Sequence, residues 1–216
     1  MAQVGGSSIT KAELDHWIPI EAILTHELRP RKSVPRGVVP DPPDYGACIL
    51  YLKTVPQKAI ERGAHSTAAQ LRSQCQQRYQ MLRQTVLNFL ITTEWLIGEG
   101  TEQGLKATDA EIKHRFEQVK KAEFPRKGEF ERQLVLTGET MSDQLFRAKV
   151  KVLSINLERE ILTKRGLTHQ QRTQAYVKFF TEAFPTKWIA RTSCRAGYVV
   201  PNCKQYKGSQ PPEIRI

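Results

Sequence analysis

Val86-Leu87-Asn88-Phe89-Leu90-Ile91-Thr92-Thr93-Glu94-Trp95-Leu96-Ile97 is the most apolar stretch of the chain, and its reading decides the fold. It lies inside a longer segment, about 66–99, in which Leu71, Cys75, Tyr79, Leu82, Val86, Phe89, Leu90, Thr93 and Leu96/Ile97 recur at three-and-four spacing. That period belongs to an amphipathic helix. A second face, Leu87, Ile91 and Trp95, makes its middle apolar nearly all round, so other helices should surround it. The stretch is not a membrane span, because Asn88, Thr92, Thr93 and Glu94 interrupt a run that would need about 18 apolar residues.

Working outward, local signals mark further helices. Thr10 with Glu13, Thr108 with Glu111 and Thr168 with Gln171 form capping boxes, and Thr140 or Ser142 caps another helix. Ile9 and Leu14 sit where a hydrophobic staple would close over the first turn. These starts predict helices over 11–27, disturbed at Pro19, and from 109 to Phe124-Pro125. A long helix runs to about 165, and a last one carries Ala175, Tyr176, Phe179, Phe180 and Ala183 as a buried stripe. A short helix about 47–60 is interrupted by Pro56, and another runs from Gly128 to Gly138. Gly104-Leu105 and Gly166-Leu167 read as Schellman stops.

The two ends read as strands. Gly5-Gly6 between Ala2-Gln3-Val4 and Ser7-Ser8-Ile9 suggests a hairpin; Trp188 to Cys194 and Gly197 to Val200 read as two more short strands. Residues 29–46 hold Pro30, Pro35, Pro40, Pro42 and Pro43 and read as an extended surface loop. The expected layout is a mainly α domain over 1–207, with a small sheet or hairpin from the N- and C-terminal strands and a flexible tail at 208–216.

Composition narrows the function classes. The 216 residues carry 33 Lys+Arg against 22 Asp+Glu, a net charge of +11, and 39% hydrophobic residues, which excludes disorder and collagen. The excess lies in residues 109–216, with 21 basic and 12 acidic side chains (+9), against 12 and 10 (+2) before them. Such a half suits nucleic acid, an anionic cell-envelope surface or acidic clients, but solvated helix faces account for the same charges. Cys48 and Cys75, then Cys194 and Cys203, form two local pairs without metal-ligand spacing. Two disulfides in an oxidising compartment are one reading; four buried free thiols are the other. No signal peptide precedes Gly5-Gly6, so secretion would require a leader outside this sequence.

The chemistry-bearing residues form no catalytic constellation. The histidines at 16, 26, 65, 114 and 169 are scattered and read as solvated. GxSxG, Walker, GxGxxG and HExxH motifs are missing, and Glu158 and Glu160 fall on different helix faces. Cys75 faces inward and makes a poor reactive thiol. No catalytic residue, metal or cofactor is expected. Binding remains, with Trp17, Trp95, Phe116, Phe124, Phe130 and Phe146 as the aromatic candidates for an apolar wall, Phe124 foremost. For any one of them core packing is the commoner reading, because helical spacing by itself predicts core.

An ordered run of segments resembles a known family. Ile9-Thr10-Lys11-Ala12-Glu13-Leu14-Asp15 is similar to the segment after the first strand and turn in SurA- and PrsA-type extracytoplasmic chaperones. Trp95-Leu96-Ile97-Gly98-Glu99, then Gly104 to Glu111, Phe130 to Leu134 and Thr137-Gly138-Glu139-Thr140 before a long helix follow the order of the SurA N-terminal domain. The end, from Trp188 through Cys194, Gly197-Tyr198-Val199-Val200 and Cys203, looks like the tail of a high-GC Gram-positive PrsA-like branch. The resemblance implies a SurA N-domain-like bundle and an extracytoplasmic chaperone or foldase-like protein that holds unfolded or nascent secreted polypeptides. Together with the local cysteine pairs it leads us to expect Cys48–Cys75 and Cys194–Cys203 disulfides. Relatives often insert a parvulin prolyl-isomerase domain after the long helix, on the order of 100 residues. Here only residues 163–167 separate Leu162 from Thr168, so no isomerase domain is expected. The alternatives are a family member with residual or accessory isomerase activity, or a basic nucleic-acid binder, for which no recognition motif is present.

Overall fold

The computed structural model describes residues 1–26, 33–54, 67–163 and 166–212. The protein is mainly helical with a small antiparallel sheet. In chain order the elements are β1 (Ala2–Val4), β2 (Ser7–Ile9), α1 (Lys11–Leu24), α2 (Gly46–Thr54), α3 (Ala68–Glu102), α4 (Asp109–Glu123) and α5 (Glu129–Thr137). They continue with α6 (Met141–Leu162), α7 (His169–Lys178), a π-helical turn (Phe179–Ala183), α8 (Phe184–Ala190) and β3 (Thr192–Cys194).

Capping chemistry sets the helix starts. All three capping boxes expected from sequence form, and Thr67/Gln70 and Thr140/Asp143 add two more. In each, the threonine hydroxyl accepts from the N3 amide while the N3 side chain accepts from the threonine N–H, satisfying amides that no helical carbonyl can reach. α3 ends in a full Schellman motif: Gly104 sits at φ +69°, Leu105 N donates to Gly100 O at 2.7 Å, and Gly104 N donates to Thr101 O at 3.1 Å.

The central segment of α3 behaves as its composition requires. Val86, Leu87, Leu90, Ile91, Trp95 and Leu96 are all buried, and α1, α6 and strands β1 and β2 pack around them. Ile9 and Leu14 are both buried in that core, where the staple places them. α1 runs through Pro19 without a break, which corrects the expected disturbance; the single backbone bond lost is outweighed by burial of Trp17, Ile18, Ile20, Ala22 and Ile23 around it. α1 ends at Leu24, three residues earlier than expected, and residues 27–32 lie outside those described.

The sheet joins the two ends of the chain, in the order β2-β1-β3. Ala2 pairs with Ile9 and Cys194, and Val4 with Ser7 and Thr192. Gly5, at φ +55°, turns the β1–β2 hairpin.

The C-terminal strand assignment is corrected. Trp188-Ile189-Ala190 belongs to α8, and β3 spans only Thr192–Cys194. Helical backbone continues from α7 because the π-helical turn carries it into Pro185, which occupies the first turn of α8, where its missing N–H costs least. Residues 197–200 are turn and coil. Tyr198 N donates to Arg195 O, Val200 N donates to Cys203 Sγ, and Arg83 holds Gly197 O at 2.9 Å. The stripe expected on the last helix is not buried: Ala175, Tyr176, Phe179 and Phe180 are half-buried against the core edge, and Ala183 is exposed.

The other differences are at boundaries. α6 ends at Leu162 instead of about 165, and residues 164–165 lie outside those described. α2 spans Gly46–Thr54, and its expected continuation past Pro56 lies outside the described residues. The described part of the proline-rich segment before Gly46 has neither helix nor strand, but it is not only a surface loop. Val38 is completely buried, and a Cβ on Gly37 would meet Ala47 O at 2.1 Å. Asp41 then accepts from the amides of Ala47 and Cys48, which keeps its carboxyl below the usual range although burial pushes the other way. Of the expected flexible tail, residues 208–212 carry no helix or strand and 213–216 lie outside those described.

Both disulfides form, Cys48–Cys75 and Cys194–Cys203. The first anchors α2 to α3, where Tyr45, Cys48 and Cys75 form a small apolar cluster separate from the main core. The bridge spans 27 residues of sequence and is worth about 3 kcal/mol by chain entropy. Replacing both Cys48 and Cys75 by alanine is therefore expected to speed amide exchange in α2 by about a hundredfold. The buried middle of α3 should keep its protection. Equal deprotection of both helices would show that α2 is part of the main cooperative unit.

Candidate functional site

Two concave surfaces lie side by side on the face where α1, α3, α4, α5 and α6 meet. The larger, about 1120 Å³ with its open mouth counted, is walled by Arg115, Phe116, Val119, Glu123 and Phe124 at the end of α4 and by Gln144, Arg147, Ala148 and Lys151 of α6. Leu24, at the end of α1, and Phe89 of α3 close it. The smaller, about 890 Å³ counted the same way, is lined by Ile9, Ala12, Glu13, His16, Trp17, Leu90, Glu94, Ser142, Asp143 and Phe146.

Helical spacing builds the larger groove. Residues 115, 116, 119 and 123 follow one face of α4, and 144, 147, 148 and 151 follow one face of α6. The floor is firm because Phe130 of α5 packs edge-on behind the wall, 5.5 Å from Phe116 and 5.6 Å from Phe124. Lys120 sits over the Phe130 ring at 4.5 Å and pairs with Glu131 at 3.7 Å. Leu24 is exposed at the rim.

Arg147 divides the two surfaces and is held from several sides. Its Nε donates to the buried Glu139 carboxylate at 3.0 Å, and its guanidinium lies 4.7 Å from the Trp17 ring centre and 5.3 Å from that of Phe89. Trp17 in turn meets Phe89 at 5.3 Å and Phe146 at 6.2 Å. The smaller surface has its own polar link, a hydrogen bond between His16 Nε2 and Asp143 Oδ1 at 2.9 Å. Burial pushes the Asp143 carboxyl up, but bonds from the Thr140 amide and hydroxyl and from His16 outweigh it and hold it below the ordinary aspartate range.

The six aromatic candidates separate into distinct environments. Phe116 and Phe124 line the larger groove, Phe130 backs it, and Trp17 and Phe146 line the smaller one. Trp95 touches neither. It is fully buried, donates from Nε1 to Thr192 Oγ1 at 2.7 Å, and meets Phe184 edge-on at 5.9 Å. The groove also contains Leu24, Phe89, Val119, Arg115, Arg147 and Lys151, none of which stood out in the sequence as a wall residue. Arg115-Phe116 and Phe146-Arg147, each a cation beside an aromatic, were the available signal.

His16, His114 and His169 are exposed, as expected, and His26 is half-buried. His16 also bonds Asp143, and His26 meets the Tyr51 hydroxyl at 3.2 Å; His65 lies outside the described residues. Among the described residues no group of three His, Cys, Asp or Glu side chains is placed to hold a metal ion, and no helix is long and apolar enough to cross a membrane. No protein-family model, curated protein or solved structure matches the chain.

Proposed function

We propose that the protein is a non-catalytic extracytoplasmic chaperone, similar to the SurA and PrsA type, that holds extended segments of unfolded polypeptide in the groove between α4 and α6. The observation that carries this reading is an aromatic-walled, open groove with a rigid floor and an exposed apolar rim. Two disulfides and the absence of a membrane-crossing helix among the described residues are compatible with an extracytoplasmic location. The net charge of +11 would draw acidic clients or an anionic envelope surface at long range, while apolar contact retains the client.

The test is light scattering of an unfolded, aggregating client at increasing ratios of this protein. Suppression near one-to-one that survives high salt is expected, because apolar contacts are not screened. Replacing Leu24 and Val119 together by serine should raise the ratio needed by about tenfold or more, since each apolar side chain contributes on the order of 2 kcal/mol when buried. Suppression that vanishes with salt, or that the double variant leaves untouched, would overturn the reading.

A further inference from the structure

The charges in the larger groove are unequally satisfied, and that inequality selects what the groove can hold. Three cations line it, Arg115, Arg147 and Lys151, against two carboxylates, Glu123 and Glu139. Arg147 and Glu139 neutralise each other at 3.0 Å, and stacking on Trp17 and Phe89 fixes the guanidinium further. That pair has little left to offer a ligand.

Arg115 and Lys151 differ from Arg147. Both are half-buried, and neither makes an ion pair among the described residues. Arg115 Nε is buried and has no hydrogen-bond partner among the described residues. An unpaired buried N–H loses its water without a replacement, and a guanidinium N–H is satisfied best by a carboxylate. The remaining acid, Glu123, is exposed at the end of α4, where solvent screens it more than it screens the two half-buried cations.

The walls also set the length of the occupant. On α4 the lining runs from 115 to 123 and on α6 from 144 to 151, about two turns of each helix, or about 10–12 Å. An extended chain rises about 3.3 Å per residue, so roughly three residues fill the groove. Apolar side chains would meet Phe116, Phe124 and Ala148, with a carboxylate within the same short stretch.

We infer that the groove selects apolar segments of unfolded polypeptide that contain an acidic side chain, with Arg115 and Lys151 receiving the carboxylate. This rests on the chaperone reading above and gives its client a chemical class. A positively charged segment is disfavoured by the same two cations, so the groove discriminates by repulsion as well as attraction.

The experiment uses the full chain and three dye-labelled peptides of leucine and phenylalanine. Both ends are capped, so the only charge is one central glutamate, its glutamine counterpart or its lysine counterpart. Fluorescence anisotropy should give the glutamate peptide about tenfold tighter binding than the glutamine peptide, and the lysine peptide weaker binding than either. The gap should narrow as salt is raised. In the double variant R115Q/K151Q the glutamate and glutamine peptides should bind within about twofold of each other. Equal binding of all three peptides to the unmodified protein would overturn the selectivity and leave the apolar groove standing. Failure of all three to bind would remove both this inference and the chaperone reading.

Discussion

Trp95→Ala is expected to destabilise the protein by about 4 kcal/mol and to leave the groove's affinity for a bound segment unchanged wherever the variant remains folded. Trp95 is fully buried at the junction of α3, α8 and β3. Its Nε1 donates to Thr192 Oγ1, and that hydroxyl donates to Trp188 O at 2.7 Å, so one indole fixes where the chain leaves α8 and enters the sheet. Alanine would remove the ring from its contact with Phe184 and open a cavity that the surrounding helices can only partly close. Trp95→Phe keeps most of the volume but loses the N–H and part of the bicyclic ring, with an expected cost of about 2 kcal/mol. Denaturant midpoints measure both costs, and peptide anisotropy measures the groove. A Trp95→Phe protein with an unchanged midpoint and abolished peptide binding would place the residue in the binding site instead.

That contrast shows which parts of the molecule were readable from sequence. Helix starts were legible because a capping box needs only residues three apart: Thr10/Glu13, Thr108/Glu111 and Thr168/Gln171 close within one turn whatever packs above them. The sheet between the chain ends was legible in outline, because short β-compatible runs flanked Gly5-Gly6 and Cys194.

Trp188-Ile189-Ala190 misled because a short run of aromatic and β-branched residues fits strand and buried helix equally. Contacts remote in sequence decide it. Trp188 lies on α3 so closely that a Cβ on Gly98 would come within 2.1 Å of its ring, and its Nε1 donates to Glu99. Nothing local to residue 188 announces a glycine and a carboxylate some ninety positions earlier. The groove was hidden for the same reason. Spacing on α4 or α6 says which residues share a face, but not which neighbour that face meets, so Phe116 could be read as wall or core. It is both, touching Phe130 behind it and open to the groove in front. Arg115 and Lys151 looked like solvated charge, and only the absence of an ion-pair partner among the described residues sets them apart from Arg147.

Glu99→Gln is expected to cost about 3 kcal/mol at neutral pH and progressively less as the solution is acidified. Glu99 is a buried carboxylate on α3 that accepts from Lys187 Nζ at 2.6 Å, Trp188 Nε1 at 2.7 Å and Gln103 Nε2 at 2.7 Å. It therefore ties α8 to α3 through three donors at once, and Glu102 extends the network to Lys187 at 2.6 Å and to Arg191. Burial pushes its carboxyl up, but the bonds from Lys187, Gln103 and Trp188 prevail and hold it below the usual glutamate range. A carboxyl lowered in the folded state adds stability that is fully present above its unfolded value, about pH 4.3, and is lost as pH falls through the lower folded value. Glutamine keeps the shape and one acceptor for Trp188 but removes the charge facing Lys187. Lys187 is one-third exposed and keeps Glu102, which limits the cost to the lower end for a broken buried pair. Below the folded value the unmodified side chain is itself neutral, so the two proteins should converge in stability. Urea midpoints of both proteins from about pH 3 to pH 7 measure the convergence. A difference that stays constant across that range would mean that packing of the amide, rather than loss of charge, sets the cost.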